Sequence, residues 1–169
     1  AEHGVAVAAA RLDAIDKLGR AISESRSLFP KAFLSLEGTL EENLLHRPAV
    51  DIEVEFCEQL FKARKYDSIS GRASVGPHRT DLNVIHGPKN MPAEFCSTGE
   101  QKALLIGITL ASARLSSNNF GAPPILLLDE IAAHLDIERR GALFDELNDI
   151  GSQVWSTGTD KSLFDQMSD

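Results

Sequence analysis

Apolar residues recur at helical spacing from the start of the chain: Ala8, Leu12, Ile15 and Ile22 fall on one face until Pro30 ends the pattern. The spacing predicts an amphipathic helix already under way at the first residues and running to about Leu28. KAFLSLEG then alternates like a short strand. A second helical stripe runs through Ile52, Phe56, Leu60 and Ala63 to about Tyr66. Residues 1–70 are therefore expected to be mostly helical. In GRASVGPHRTDLNVIHG the pattern changes, with Gly76-Pro77 marking a turn and LNVI a short strand. This shift places a domain boundary near Gly71, dividing the chain into residues 1–70 and 71–169.

In the second part, FCSTGEQKALLIGITLASARLSSNN sets Ser97 and Glu100 at capping-box spacing before a long apolar helix, expected from about Gly99 to Ser116. ILLL, Ile125 to Leu128, follows Pro123-Pro124 without polar alternation and reads as a strand covered on both faces. Asp136 is placed to cap a helix carrying Leu143, Leu147 and Ile150, closed by Gly151. QVWSTGTD supplies another strand. Strand, helix and strand in this order form a βαβ unit, so the fold class is α/β with parallel strands.

At 169 residues and 43% hydrophobic composition the chain can bury the core of one ordinary domain, or of a domain with an appendage. It begins without Met or a leader pattern and has no apolar run of membrane-spanning length, which suggests a soluble piece of a longer protein with no membrane partner. Cys57 and Cys96 lack CxxC spacing and sit in apolar contexts. Reduced, partly buried thiols and a cytoplasmic location are expected. The net charge of -8 is concentrated at the end of the chain, where residues 129–169 carry ten carboxylates against Arg139, Arg140 and Lys161. That reads as a solvated helical surface. No basic stripe marks a nucleic-acid footprint, so charge gives no ground for DNA contact.

Two places carry candidate chemistry. Ligands of open α/β sheets gather beyond the carboxyl ends of strands, where Asp129 and Glu130 read either as a solvated strand end or as a pair able to hold a hard cation and polarise a water. Ser97, Thr98 and Gly99 would present backbone N–H groups at a positive helix end, with room at Gly99 for an anion. The usual companion of such carboxylates is a phosphate cradle ending in Gly-Lys-Ser/Thr. No Gly in this sequence is followed by Lys, so most of a nucleotide's phosphate contacts would have to come from elsewhere. His3, His46 and His86 show no ligand spacing and read as surface or turn residues. Arg79 in GPHRTDL has no evident chemical task.

The order STGEQ (97–101), ILLLDE (125–130) and AHLD (133–136) resembles the signature, Walker B and D-loop motifs of ABC-type ATPases. GPHRTDL, CSTGEQKALLIG, LLLDEIAAHLD and QVWSTGTD are similar in wording to the RecF branch of that family, with residues 1–70 corresponding to part of its helical arm. The resemblance implies ATP sandwiched between two heads, each meeting the nucleotide bound by the other. Asp129 would hold Mg²⁺ through water, and Glu130 would activate the attacking water. Ser97, Thr98, Gly99, Glu100 and Gln101 would meet the γ-phosphate on the partner head, with Ala133, His134, Leu135 and Asp136 linking the two sites. Thr157 and Thr159 stand where many ABC proteins carry a switch His. The implied parent is an ATP-dependent DNA-binding repair protein that dimerises with ATP and works with RecO and RecR. It would act at single-strand to double-strand junctions, in recombination, replication restart and the SOS response. A transporter-type ATPase subunit and a non-catalytic dimerisation scaffold are the alternatives, the first disfavoured by STGEQ where transporters read LSGGQ.

Overall fold

In the computed structural model, residues 1–131 and 135–165 are described. The elements are α1 (Glu2–Glu24), β1 (Ala32–Glu37), α2 (Thr39–Leu44), α3 (Ala49–Ser70), β2 (Asp81–His86), β3 (Met91–Pro92), α4 (Thr98–Phe120), β4 (Leu126–Leu128), α5 (Ile137–Ile150) and β5 (Val154–Ser156). Short 3₁₀ turns lie at Pro77–Arg79, Gly87–Lys89, Ala93–Phe95 and Lys161–Phe164. One sheet has the order β1-β2-β3, with β2 and β3 antiparallel through Ile85↔Pro92 and His86↔Met91. In the other, β4 and β5 run parallel through Leu126↔Val154, Leu127↔Trp155 and Leu128↔Ser156. Strand β4, helix α5 and strand β5 follow one another in the chain, as the sequence pattern predicts.

Helix α1 stops at Glu24, short of the Leu28 that its apolar spacing suggests. Two local effects end it. Ser25 and Ser27 offer the backbone alternative partners, Oγ of Ser25 accepting from Ser27 N–H at 3.1 Å and Oγ of Ser27 from Phe29 N–H at 3.2 Å. Lys31 then caps the free carbonyls, donating to Ile22 O at 2.7 Å and also to Ser25 O.

Contacts group the chain into two units, Ala1–Asp16 with Leu34–Asn83 and Lys17–Phe33 with Val84–Asp169. Gly71, the boundary proposed from sequence, is the left-handed C-cap of α3 (φ 68°) and lies inside the first unit. That unit is built on Val5, Ala8, Leu40, Ile52 and Phe56. It also buries Glu41, which is 1% exposed. A buried carboxylate requires partners. Thr80 Oγ1 lies 2.9 Å from both carboxylate oxygens, and Arg11 Nη1 is 3.8 Å away while also donating to Pro77 O. A Cβ at Gly38 would come within 2.3 Å of Glu41 Oε2 and 2.6 Å of Thr80 Oγ1, so this packing requires glycine. The GPHRTDL segment thus serves as a turn and an anchor. Arg79 itself is exposed, on the lining of a cavity of about 430 Å³ that also includes Glu37, Glu42 and Gln59.

The second unit packs Ala103, Ile106, Leu110 and Ala113 of α4 and Leu143, Phe144, Leu147 and Ile150 of α5 with Leu126, Leu128 and Leu135. β4 is covered on one face, not two. Leu126 and Leu128 are buried, but Ile125 and Leu127 are 64% and 76% exposed, and Trp155 opposite Leu127 is 64% exposed. Burial alternates because the core lies against Leu126 and Leu128, and among the described residues β5 is the one strand paired with β4. Two further expectations change, and the turn reading of His86 holds with its side chain buried. Cys96 is buried but Cys57 is exposed. Glu146, in the acidic end of the chain, is buried and accepts from Ser27 and, at 3.4 Å, from Arg114. His86 is buried, and its Nδ1 accepts from Lys89 N–H at 3.3 Å, capping the Gly87–Lys89 turn. No described helix is long and apolar enough to cross a membrane.

Candidate functional site

The parallel register puts the ends of β4 and β5 side by side. With Leu128 opposite Ser156, Thr157 N–H donates to Leu128 O at 2.9 Å. The side chain that follows completes the junction: Thr157 Oγ1 donates to Asp129 Oδ1 at 2.5 Å and accepts from Glu130 N–H at 3.0 Å. Glu130 sits at φ 51°, in the left-handed region. For a residue with a Cβ this costs on the order of 1 kcal/mol, and the bond to Thr157 offsets part of that cost by satisfying the peptide N–H. Asp129 and Glu130 are both exposed. Two adjacent carboxylates at the open end of a parallel pair, one fixed by a hydroxyl, offer only oxygen ligands, the donor set suited to a hard cation such as Mg²⁺. Among the described residues no group of three or more His, Cys, Asp or Glu is placed to hold a metal.

STGEQ opens α4 as its capping-box spacing predicts, with Ser97 in extended conformation at the N-cap. Glu100 accepts from Ser97 N–H at 3.0 Å and from Ser97 Oγ at 2.8 Å, and Lys89 Nζ lies 2.5 Å from its other oxygen. Hydrogen bonds first from Lys89 and then from Ser97 pull the Glu100 carboxyl down to about 2. Lys89 is in turn raised, chiefly by its bond to Glu100. Gln101 turns back, its Nε2 donating to Ala93 O at 2.8 Å and to Glu94 O at 3.3 Å. Thr98 and Gly99 are exposed, and a Cβ at Gly99 would meet nothing within 4 Å. The chain's own packing does not demand glycine there, so the space over the helix end is open to an incoming group.

The remaining candidates are placed differently. Leu135 is buried in the core, and Asp136 caps α5 by accepting from Arg139 N–H at 2.8 Å. Ala133 and His134 lie outside the described residues. Thr159 is exposed just before Asp160, which caps the Lys161–Phe164 turn through Ser162 N–H at 2.9 Å. Sequence spacing did not bring out Lys89 or the junction role of Thr157. Lys89 reaches Glu100 across the Met91–Pro92 strand and the following turn, a tertiary approach with no periodic signal.

No family model matches the chain. It is 52% identical over 169 residues to the DNA replication and repair protein RecF of Brucella abortus (strain 2308), a match covering 99% of the chain and 44% of that relative. It is 50% identical over 171 residues to RecF of Rhizobium leguminosarum bv. trifolii, covering all of the chain and 46% of the relative. The chain thus spans a little under half the length of these relatives. Among solved structures it resembles the recombination mediator protein RecF with ATPrS, described in the RecFOR pathway, at TM-score 0.70 and 18% identity, covering 99% of the chain and 44% of that one. The corresponding RecF–ATP structure matches at TM-score 0.68 and 20% identity, covering 96% and 44%. At these identities the structural likeness shows the fold.

Proposed function

Over the length it covers the chain belongs to the RecF family, and on that premise we propose that it forms the signature and Walker B part of an ATPase head in a DNA recombination-repair mediator. The observation that carries this reading is the junction of Asp129, Glu130 and Thr157 at the ends of β4 and β5. Asp129 would hold Mg²⁺ through water, and the ion when bound would neutralise charge on the phosphates. Glu130 would orient a water and accept its proton during hydrolysis.

The exposed start of α4 would meet the γ-phosphate held by a second head. A carboxylate at a helix N-terminus repels an anion, which sets the Glu100 charge against such a role. Here its charge is already committed to Ser97 and Lys89, which leaves Thr98, Gly99 and the helix N-terminus to face the phosphate. ATP would then close a homodimer of heads on DNA, and hydrolysis would open it. The wider reading includes a cytoplasmic setting, gapped DNA as the substrate, RecO and RecR as partners, and a part in replication and the SOS response.

The test uses a full-length family protein carrying these residues. Glu130→Gln keeps size and hydrogen bonding but removes the base, so ATP should bind, turnover should fall and size exclusion with ATP should show a dimer. Ser97→Arg should obstruct the helix end and leave a monomer that still binds ATP. Absence of turnover in the unmodified protein would leave a non-catalytic scaffold as the better reading, and wild-type turnover in Glu130→Gln would remove Glu130 as the base.

A further inference from the structure

The junction at the ends of β4 and β5 assigns Thr157 a task of its own. We propose that Thr157 is a positioning residue for ATP hydrolysis: its hydroxyl sets the Asp129 carboxylate and the Glu130 peptide relative to one another, and is for that reason not a sensor of γ-phosphate. The inference rests on the composite-site reading above and deepens it.

A threonine hydroxyl has one proton to donate and two lone pairs to accept with. The proton goes to Asp129 Oδ1 at 2.5 Å, within the range of a charge-assisted O–H···O⁻ bond, and one lone pair takes Glu130 N–H at 3.0 Å. With its proton committed to a carboxylate, the hydroxyl has none left for a phosphate oxygen. Its direction is fixed from both sides. The backbone of Thr157 is tied to β4 through Leu128 O, and the β-branched side chain restricts rotation about χ1. Glu130 meanwhile occupies φ 51°, a conformation that aims its side chain differently from a continued strand and persists only where neighbours specify it. Thr157 supplies that specification through the N–H of the same residue. One hydroxyl thus couples the carboxylate proposed for the cation to the one proposed for the water.

The experiment compares Thr157→Val, which keeps shape and loses the hydroxyl, with Thr157→Ser, which keeps the hydroxyl, and with Glu130→Gln, all in the full-length protein. Two measurements are made: steady-state ATP hydrolysis, and amide hydrogen exchange at Glu130 without nucleotide. Thr157→Val should lower kcat by about 100-fold, the scale expected for a misplaced catalytic group, with KM for ATP nearly unchanged. Its Glu130 amide should lose protection. Thr157→Ser should recover most of both. A raised KM with unchanged kcat in Thr157→Val would reveal a phosphate contact and overturn the proposal, as would a Glu130 amide equally protected with and without the hydroxyl. If Glu130→Gln abolishes turnover while Thr157→Val matches wild type, the positioning role fails and the composite site stands. If Glu130→Gln turns over normally, the composite-site reading fails first, and the catalytic role of Thr157 with it.

Discussion

Glu100 stands between two demands: it must cap α4, yet it lies where a phosphate is proposed to arrive. Ser97 and Lys89 reconcile them by drawing its carboxyl down to about 2 from the ordinary 4.5. Because the folded value is depressed, whatever Glu100 contributes to stability is fully present above about pH 4.5 and is lost as pH falls through about 2. The turn should therefore keep its charge pattern through neutral and mildly acidic conditions. A carbon-detected NMR titration should place the Glu100 midpoint near 2; a midpoint near 4.5 would mean that Lys89 and Ser97 do not hold it in solution. At this scale the sequence was legible where the chemistry is local. Ser97 and Glu100, three residues apart, declare a capping box by spacing alone, and Asp129 and Glu130 stand out as carboxylates after an apolar run. Lys89 and Thr157 act through partners distant in the chain, Thr157 twenty-eight residues from Asp129, so only the folded molecule reveals them.

Among the elements, α4, α5 and β2 fall close to where the apolar spacing puts them, because each carries its own period and its own stops, whereas β5 takes only Val154–Ser156 of QVWSTGTD. Asp136 is such a stop, an extended residue whose side chain accepts Arg139 N–H at 2.8 Å. Asp136→Ala should destabilise the second unit by about 1 kcal/mol, the usual worth of an N-cap, while Asp136→Asn should cost little. Chemical denaturation of the two variants checks this, and equal losses would mean that the ion pair with Arg139, at 3.8 Å, rather than the cap, carries the effect. Less legible were elements whose limits depend on neighbours. α2, six residues long, is too short to show a period. The four apolar residues before Asp129 suggested two covered faces, but how many faces are covered is decided by what packs on the strand, and Ile125 and Leu127 remain exposed here.

In the whole chain, the division into two units was hidden because no linker marks it. The chain passes between them within α1, β1 and β2, all hydrogen-bonded elements, while Gly71, where the composition changes, lies inside the first unit. The exposed residues after α3 belong to the first unit on both sides. Ser74 N–H donates to Asp67 at 3.0 Å, Thr80 holds Glu41, and Arg11 donates to Pro77 O. A nick after Arg72 should therefore yield two bands on a denaturing gel but a single species by native size exclusion. Separation of the two pieces without denaturant would show that these contacts and the core around Phe56 are too weak to hold the unit together.

The bare face of β4 and β5 has an optical consequence. Trp155 is the single tryptophan of the chain, lies on that face opposite Leu127, and precedes Thr157 by two positions. All of the chain's indole fluorescence thus originates beside the proposed catalytic junction. For the chain alone, emission should fall at the red, water-exposed end of the tryptophan range and be readily quenched by acrylamide. Any surface that settles on Leu127 and Trp155 should shift the emission to the blue and protect it from quencher, so covering of this face can be followed by light, without a label.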